Sequence, residues 1–147
     1  MSSPPAWIGP GCVLRQGLYI RENVLAEAGA RMGHATEIKN SFLMGGAEAP
    51  HFNYVGDSVL GNKAHLGAGV ILANVRLDRK NIRIFLSTGR EDTGMKKLGA
   101  IIGDRAEVGC NSVLNPGSII GRGSVLYPLS RWRGTMAENT VYGVEKW

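Results

Sequence analysis

The sequence predicts an all-β solenoid of short strands with two inserted loops and a short C-terminal cap. Two observations carry that reading. An aliphatic residue recurs at every sixth position in three phased runs, and a glycine often follows it. A third observation agrees: four places after the aliphatic stands a small or β-branched side chain, as at Cys12, Val24, Ala64, Val70, Ala106, Ser118 and Ser124.

The first run is Ile8, Leu14, Ile20, Ala26, Met32, Ile38, Met44. The second is Leu60, Leu66, Leu72, and the third is Ile102, Val108, Leu114, Ile120, Leu126. Neither a helical period of 3.6 nor plain strand alternation yields a strict six. A strand that points one aliphatic inward and then turns a corner does. Glycine serves such corners because it adopts unusual backbone angles without steric cost, and stacked coils bury a continuous apolar column. The competing β-sandwich would show strand spacings drifting between about 8 and 12 residues.

The rhythm stops twice. The first break, 45–54, holds most of the stretch APHFNYVGDS (residues 49–58), with a five-residue step from Val55 to Leu60. The second, 78–100, contains an alternating segment before Ser87-Thr88-Gly89 and reads as a projecting hairpin. Loops on a rigid scaffold are where function concentrates. The tail, 132–147, leaves the six-residue rule and reads as a cap, with Trp7 at one end of the column and Trp132 and Trp147 at the other.

The chain has 147 residues and reads as a single domain, 1–147. Its net charge of +5, from 17 Lys and Arg against 12 Asp and Glu, favours an anionic ligand. The basic residues are scattered and no nucleic-acid motif occurs, so nucleic acid is not an expected partner. No run approaches the roughly 18 apolar residues of a membrane helix. MSSPPAW lacks a basic n-region and an apolar h-region. With Cys12 and Cys110 far apart and read as free thiols, a cytoplasmic location is expected.

The segments GARMGHATEIKNS, APHFNYVGDSVLGNKAHLGAG, ANVRLD and IIGDRAEVGCNSVLNPGSIIG resemble the hexapeptide-repeat acyltransferases. The likeness is strongest to the domain that acetylates glucosamine-1-phosphate in the bifunctional enzyme making UDP-N-acetylglucosamine. It covers roughly Ile8 to Leu126 apart from the second insertion. The resemblance implies a left-handed parallel β-helix, a homotrimer, and acetyl-CoA as co-substrate with no metal. It implies a sugar phosphate or nucleotide-linked amino sugar as acceptor, and a sugar nucleotidyltransferase as a possible separate partner. By matched position, His51 falls on the catalytic base and Tyr54 on a substrate-binding tyrosine. Lys39 falls on a phosphate-binding lysine, with Glu37 beside it, and Lys80 on a further substrate-side lysine. Arg21 matches the phosphate-binding arginine by distance from Lys39, and Arg15 matches it by local motif; the choice stays open. Ala68 and Asn74 fall on coenzyme contacts. His65 replaces a sugar-contacting asparagine, and Val75 replaces a tyrosine beside the coenzyme. Cys110, at a corner position, is expected near the coenzyme.

The chemistry suits these residue types. An amine must lose a proton to attack a thioester, and a neutral imidazole can take it. Backbone N–H groups at a glycine turn such as 66–69 can hold the oxyanion. Asp57 or Glu37 could orient the imidazole. Two other functions fit the same fold: a zinc carbonic anhydrase, since the chain has three histidines, His34, His51 and His65, and a non-catalytic trimeric module paired with a nucleotidyltransferase.

Overall fold

A computed structural model describes residues 5–143. Among them there is no helix; 22 short strands form three parallel sheets of seven, seven and six strands, plus one two-stranded hairpin. The three large sheets are the faces of a triangular column. The chain visits them in turn, so each strand pairs with one a whole coil away. This is the expected left-handed parallel β-helix.

Inward side chains stack by type. Met32, Ala49, Leu66, Val108 and Leu126 follow one another up the second face, and Ile38, Val55, Leu72 and Leu114 up the third. All are at most 1% exposed. The small residues four places later are interior as well: Val24, Ala64, Val70, Ala106, Ser118 and Ser124 are buried, and Cys12 is half-buried. At the first coil the same inward positions, Ile8 and Leu14, are exposed, because no further coil stacks beneath them among the described residues.

The first break resolves differently from the sequence reading. Residues 45–54 are not an insertion: Glu48–His51 and Tyr54–Gly56 are strands in register with Arg31–His34 and Glu37–Lys39. The count slips one corner earlier. After Ile38 the next inward residue is Leu43, not Met44; Leu43 is fully buried and Met44 only half-buried. From Leu43 the steps of six to Ala49 and Val55 are regular, and a second five-residue step reaches Leu60. Both short steps turn the same corner, from third face to first, where Asn40 and Asp57 take positive φ. Asparagine and aspartate tolerate that region, as Asn23 also does at the six-residue step from Ile20 to Ala26.

All length variation falls at this corner. The second insertion leaves the third face after Ile71–Leu72 and returns at Ala100–Ile102. It carries the expected hairpin, Arg83–Leu86 against Gly89–Asp92, anchored by the fully buried Ile82. The tail is no irregular cap. Arg131–Trp132, Thr135–Met136 and Val141–Tyr142 continue the three ladders through a four-residue step from Trp132 to the buried Met136. Trp132 meets Tyr142 edge-on at 5.0 Å. Trp147 lies outside the described residues.

Candidate active site

Two groups of the residues singled out in the sequence come together, at different corners of the triangle. The first lies where the second face turns into the third. One left-handed residue marks that turn in each successive coil: Gly17, Ala35, Phe52, Gly69, Asn111 and Leu129. The residues just before them form a row up the edge, in which His51, Ala68 and Cys110 occupy three successive coils. The backbone ties it: Gly69 N donates to His51 O (3.0 Å), and Asn111 N to Ala68 O (2.8 Å). Coils in a ladder lie about 4.8 Å apart, so positions 17 and 42 apart in sequence become neighbours.

Two features hold His51 there. Gly33, one coil below, faces Pro50 so closely that a Cβ on it would lie 1.4 Å from the Pro50 carbonyl oxygen. Only glycine admits that approach. Asn53 is 3% exposed and takes the small interior position after Ala49. Its Oδ1 accepts from His51 N (3.1 Å) and its Nδ2 donates to Gly67 O (2.8 Å). Thr36 Oγ1 accepts from Asn53 N (3.3 Å) and donates to Ala49 O (3.2 Å). Phe52 is thereby forced to a φ of 51°, a region that costs a bulky residue roughly 1–2 kcal/mol. Gly33, the glycine that follows the aliphatic Met32, was legible only as part of the repeat, and Thr36 and Asn53 were not picked out in the sequence. A polar residue in a small interior slot was the available signal: it was open to view at Thr36, four places after Met32, and hidden by the slipped count at Asn53.

Beside His51 opens a cleft of about 350 Å³ on the second face, lined also by Arg15, Arg31, Glu48, His65, Ala68 and Cys110. His65 does not point freely into it: its Nδ1 lies 2.8 Å from Glu107 Oε2 across the insertion. The three histidines do not converge. His34 Nδ1 lies 2.6 Å from Gln16 O, and no group of three His, Cys, Asp or Glu suited to a metal exists among the described residues.

The second group surrounds the variable corner. Arg21 stacks one coil below Lys39, which follows from the pairing of Ile20 with Ile38. The two arginines left open by the sequence thus stand apart, Arg15 in the His51 cleft and Arg21 with Lys39. Glu37 Oε1 accepts from Arg21 Nη1 (3.0 Å), and this bond, with Glu22 nearby, raises the arginine's pKa above its ordinary value. Lys39, expected to meet a phosphate, is only 4% exposed. Its ammonium lies 3.9 Å from Glu22 and 3.7 Å from Asp57. Asp57 also accepts from Asn40 (3.0 Å) and Asn74 (2.5 Å). Both carboxylates considered for orienting His51 are therefore spent elsewhere: Glu37 on Arg21, Asp57 on Lys39 and two asparagines. Tyr54 is the register partner of Glu37. Val75 and Lys80 lie higher, in clefts at the root of the insertion.

No family model matches the chain. A bifunctional sugar-1-phosphate nucleotidylyltransferase/acetyltransferase of Sulfurisphaera tokodaii is 36% identical over 110 residues, covering 75% of this chain and 27% of that protein. The bifunctional protein GlmU of Methanococcus vannielii is 34% identical over 121 residues, covering 82% and 28%. The chain thus spans about a quarter of the length of these relatives, and what it matches is their C-terminal acetyltransferase region. A hexapeptide transferase family protein from Anaplasma phagocytophilum has a similar fold: TM-score 0.50, 19% identity, covering 90% of this chain and 65% of that one.

Proposed function

We propose that this chain, which belongs with the hexapeptide-repeat acyltransferases, moves an acetyl group from acetyl-CoA to the amine of a sugar carrying a phosphate or a nucleotide. The observation that carries the reading is the edge row of His51, Ala68 and Cys110 beside an open cleft. A thioester laid along that edge would bring its carbonyl to Ala68 while the amine meets His51. The imidazole takes the proton as the C–N bond forms, and the tetrahedral intermediate then expels the CoA thiolate. Positioned base catalysis of this kind contributes about 10²- to 10⁴-fold. In the 66–69 turn, Gly67 N and Gly69 N already donate to Val108 O and His51 O. The Ala68 amide makes no such bond among the described residues, which leaves it for the oxyanion.

The acceptor side is Arg21, Lys39 and Tyr54, with Asn74 beside them. One triangular column holds this group and His51 on separate edges, so a site using both needs two copies. We therefore propose a homotrimer in which His51 of one copy meets the Lys39 corner of another. The outward row of the first face is apolar on six of its seven strands, Trp7, Leu25, Phe42, Val59, Ile101 and Ile119, before it ends on Thr135, and this apolar stretch supports association. One observation favours a non-catalytic module instead: Lys39 is already met by two carboxylates. A thiol-release assay separates the two. Acetyl-CoA with glucosamine-1-phosphate and nucleotide-linked amino sugars should release CoA in the wild type and not in His51→Ala. Release that is absent with every amino sugar refutes the enzymatic reading, and release that is equal in both refutes His51 as the base.

A further inference from the structure

The insertion carries most of the chain's net positive charge. Residues 73–99 hold seven Lys or Arg against three acidic residues, a net +4 of the chain's +5. Part of that charge is gathered in one place. Above Asn74, on the same edge as the Lys39 cluster, lies a cleft of about 560 Å³ with Arg76, Arg83, Arg131 and Arg133 on its walls. Among the described residues, Asp78 is the only acidic one lining it.

The walls are built rather than incidental. Arg76 is fixed by Asp78 (2.8 and 2.5 Å) and by donating from Nη1 to Asn81 O (3.1 Å). That partner raises the Arg76 pKa and lowers that of Asp78, so both stay charged. The hairpin is docked on the last coil: Thr135 donates its hydroxyl to Phe85 O, and Arg133 lies 5.8 Å over the Phe85 ring. Arg83, Arg131 and Arg133 are exposed and make no ion pair among the described residues. Three uncompensated guanidinium forks facing one space suit oxygens on more than one phosphorus, since each fork matches a phosphate in bidentate fashion.

We infer that this cleft holds the diphosphate of a nucleoside diphosphate group. The inference rests on the acetyltransferase reading and names the chemistry of one of its two ligands. Such a group belongs either to a nucleotide-linked amino sugar or to the adenosine end of CoA. Its position above Tyr54 and Asn74 on the acceptor edge connects it to the same site.

Calorimetric titration tests it, using UDP, UMP and CoA against the wild type, Arg83→Ala, and the double variant Arg131→Ala/Arg133→Ala. At least one of UDP and CoA should lose about tenfold or more in affinity in each variant, the scale of a lost charged hydrogen bond. The loss should shrink as salt is raised. Loss of UDP, with UMP binding more weakly than UDP, assigns the nucleotide-linked acceptor. Loss of CoA assigns the coenzyme. If neither ligand weakens in Arg83→Ala, a residue on the exposed hairpin that cannot disturb the column, the inference is overturned. Binding is read without turnover, so the two readings fail separately. UDP bound through these arginines with no thiol release would sink acetyl transfer alone. Acetyl transfer with unchanged affinities in both variants would sink this inference alone.

Discussion

Replacing Gly33 by alanine tests the fold and the site together. The added Cβ would stand 1.4 Å from Pro50 O, 2.0 Å from Pro50 C and 2.5 Å from Pro50 Cα. All three are backbone atoms, so no rotamer change relieves the overlap. Reaching ordinary contact requires the two coils to part by about 2 Å, a shift that well-packed interiors resist. Pro50 cannot rotate away because its ring fixes φ, and the neighbouring His51 is tied to Asn53, Phe52 to His34, and Gly69 to His51. Overpacking costs about 1–3 kcal/mol and sometimes more; a clash wholly between backbones belongs at the upper end, about 3 kcal/mol. For a chain of this size that lowers Tm by about 10 °C. Turnover should fall further than stability accounts for, because the displaced residue adjoins His51. Gly94→Ala is the control. Gly94 has a φ of 70° and nothing within 4 Å, so it meets only the left-handed penalty, about 1 kcal/mol. Denaturant melts and initial acetyl-transfer rates on the three proteins give the answer. A Gly33→Ala protein within about 0.5 kcal/mol of wild type would show that the close approach to Pro50 is not what seats His51.

His51→Ala should leave melting and CoA affinity unchanged while lowering kcat by about 10²-fold or more; full retained activity refutes the base assignment. Lys39→Ala should raise KM for a sugar phosphate and leave that for acetyl-CoA unchanged; equal loss for both, with a lowered melting point, would mean that Lys39 serves only to hold Glu22 and Asp57. Leu114→Ala removes a fully buried column residue and should cost about 2–5 kcal/mol in a denaturant melt; a cost below about 1 kcal/mol would contradict a continuous core. Asn53→Ala leaves the amide of His51 and the carbonyl of Gly67 without their partner, and should cost about 1–3 kcal/mol together with part of kcat; an unchanged kcat would confine Asn53 to packing.

The sequence by itself determined the class of fold, because a six-residue aliphatic period is a property of local chain geometry that every coil repeats. It also determined the column from Ile102 to Leu126 and the hairpin, since both follow from patterns within a few residues. What it could not show was register. The five-residue step from Val55 to Leu60 was legible, but the one from Ile38 to Leu43 was not, because Met44 at the sixth place is also apolar, and that slip made APHFNYVGDS look like an insertion. In the folded column, Pro50 rests on Gly33 and Asn53 fills an interior slot. Tertiary structure alone decided which distant residues meet. His51, Ala68 and Cys110 share an edge because coil lengths of 17, and of 42 across the insertion, bring them to the same corner. The same arithmetic pairs His65 with Glu107, gathers Lys39 between Glu22 and Asp57, and sets the Arg131 and Arg133 of the last coil against the hairpin. In a solenoid the side chains are local, but their neighbours are set by the number of residues in each turn.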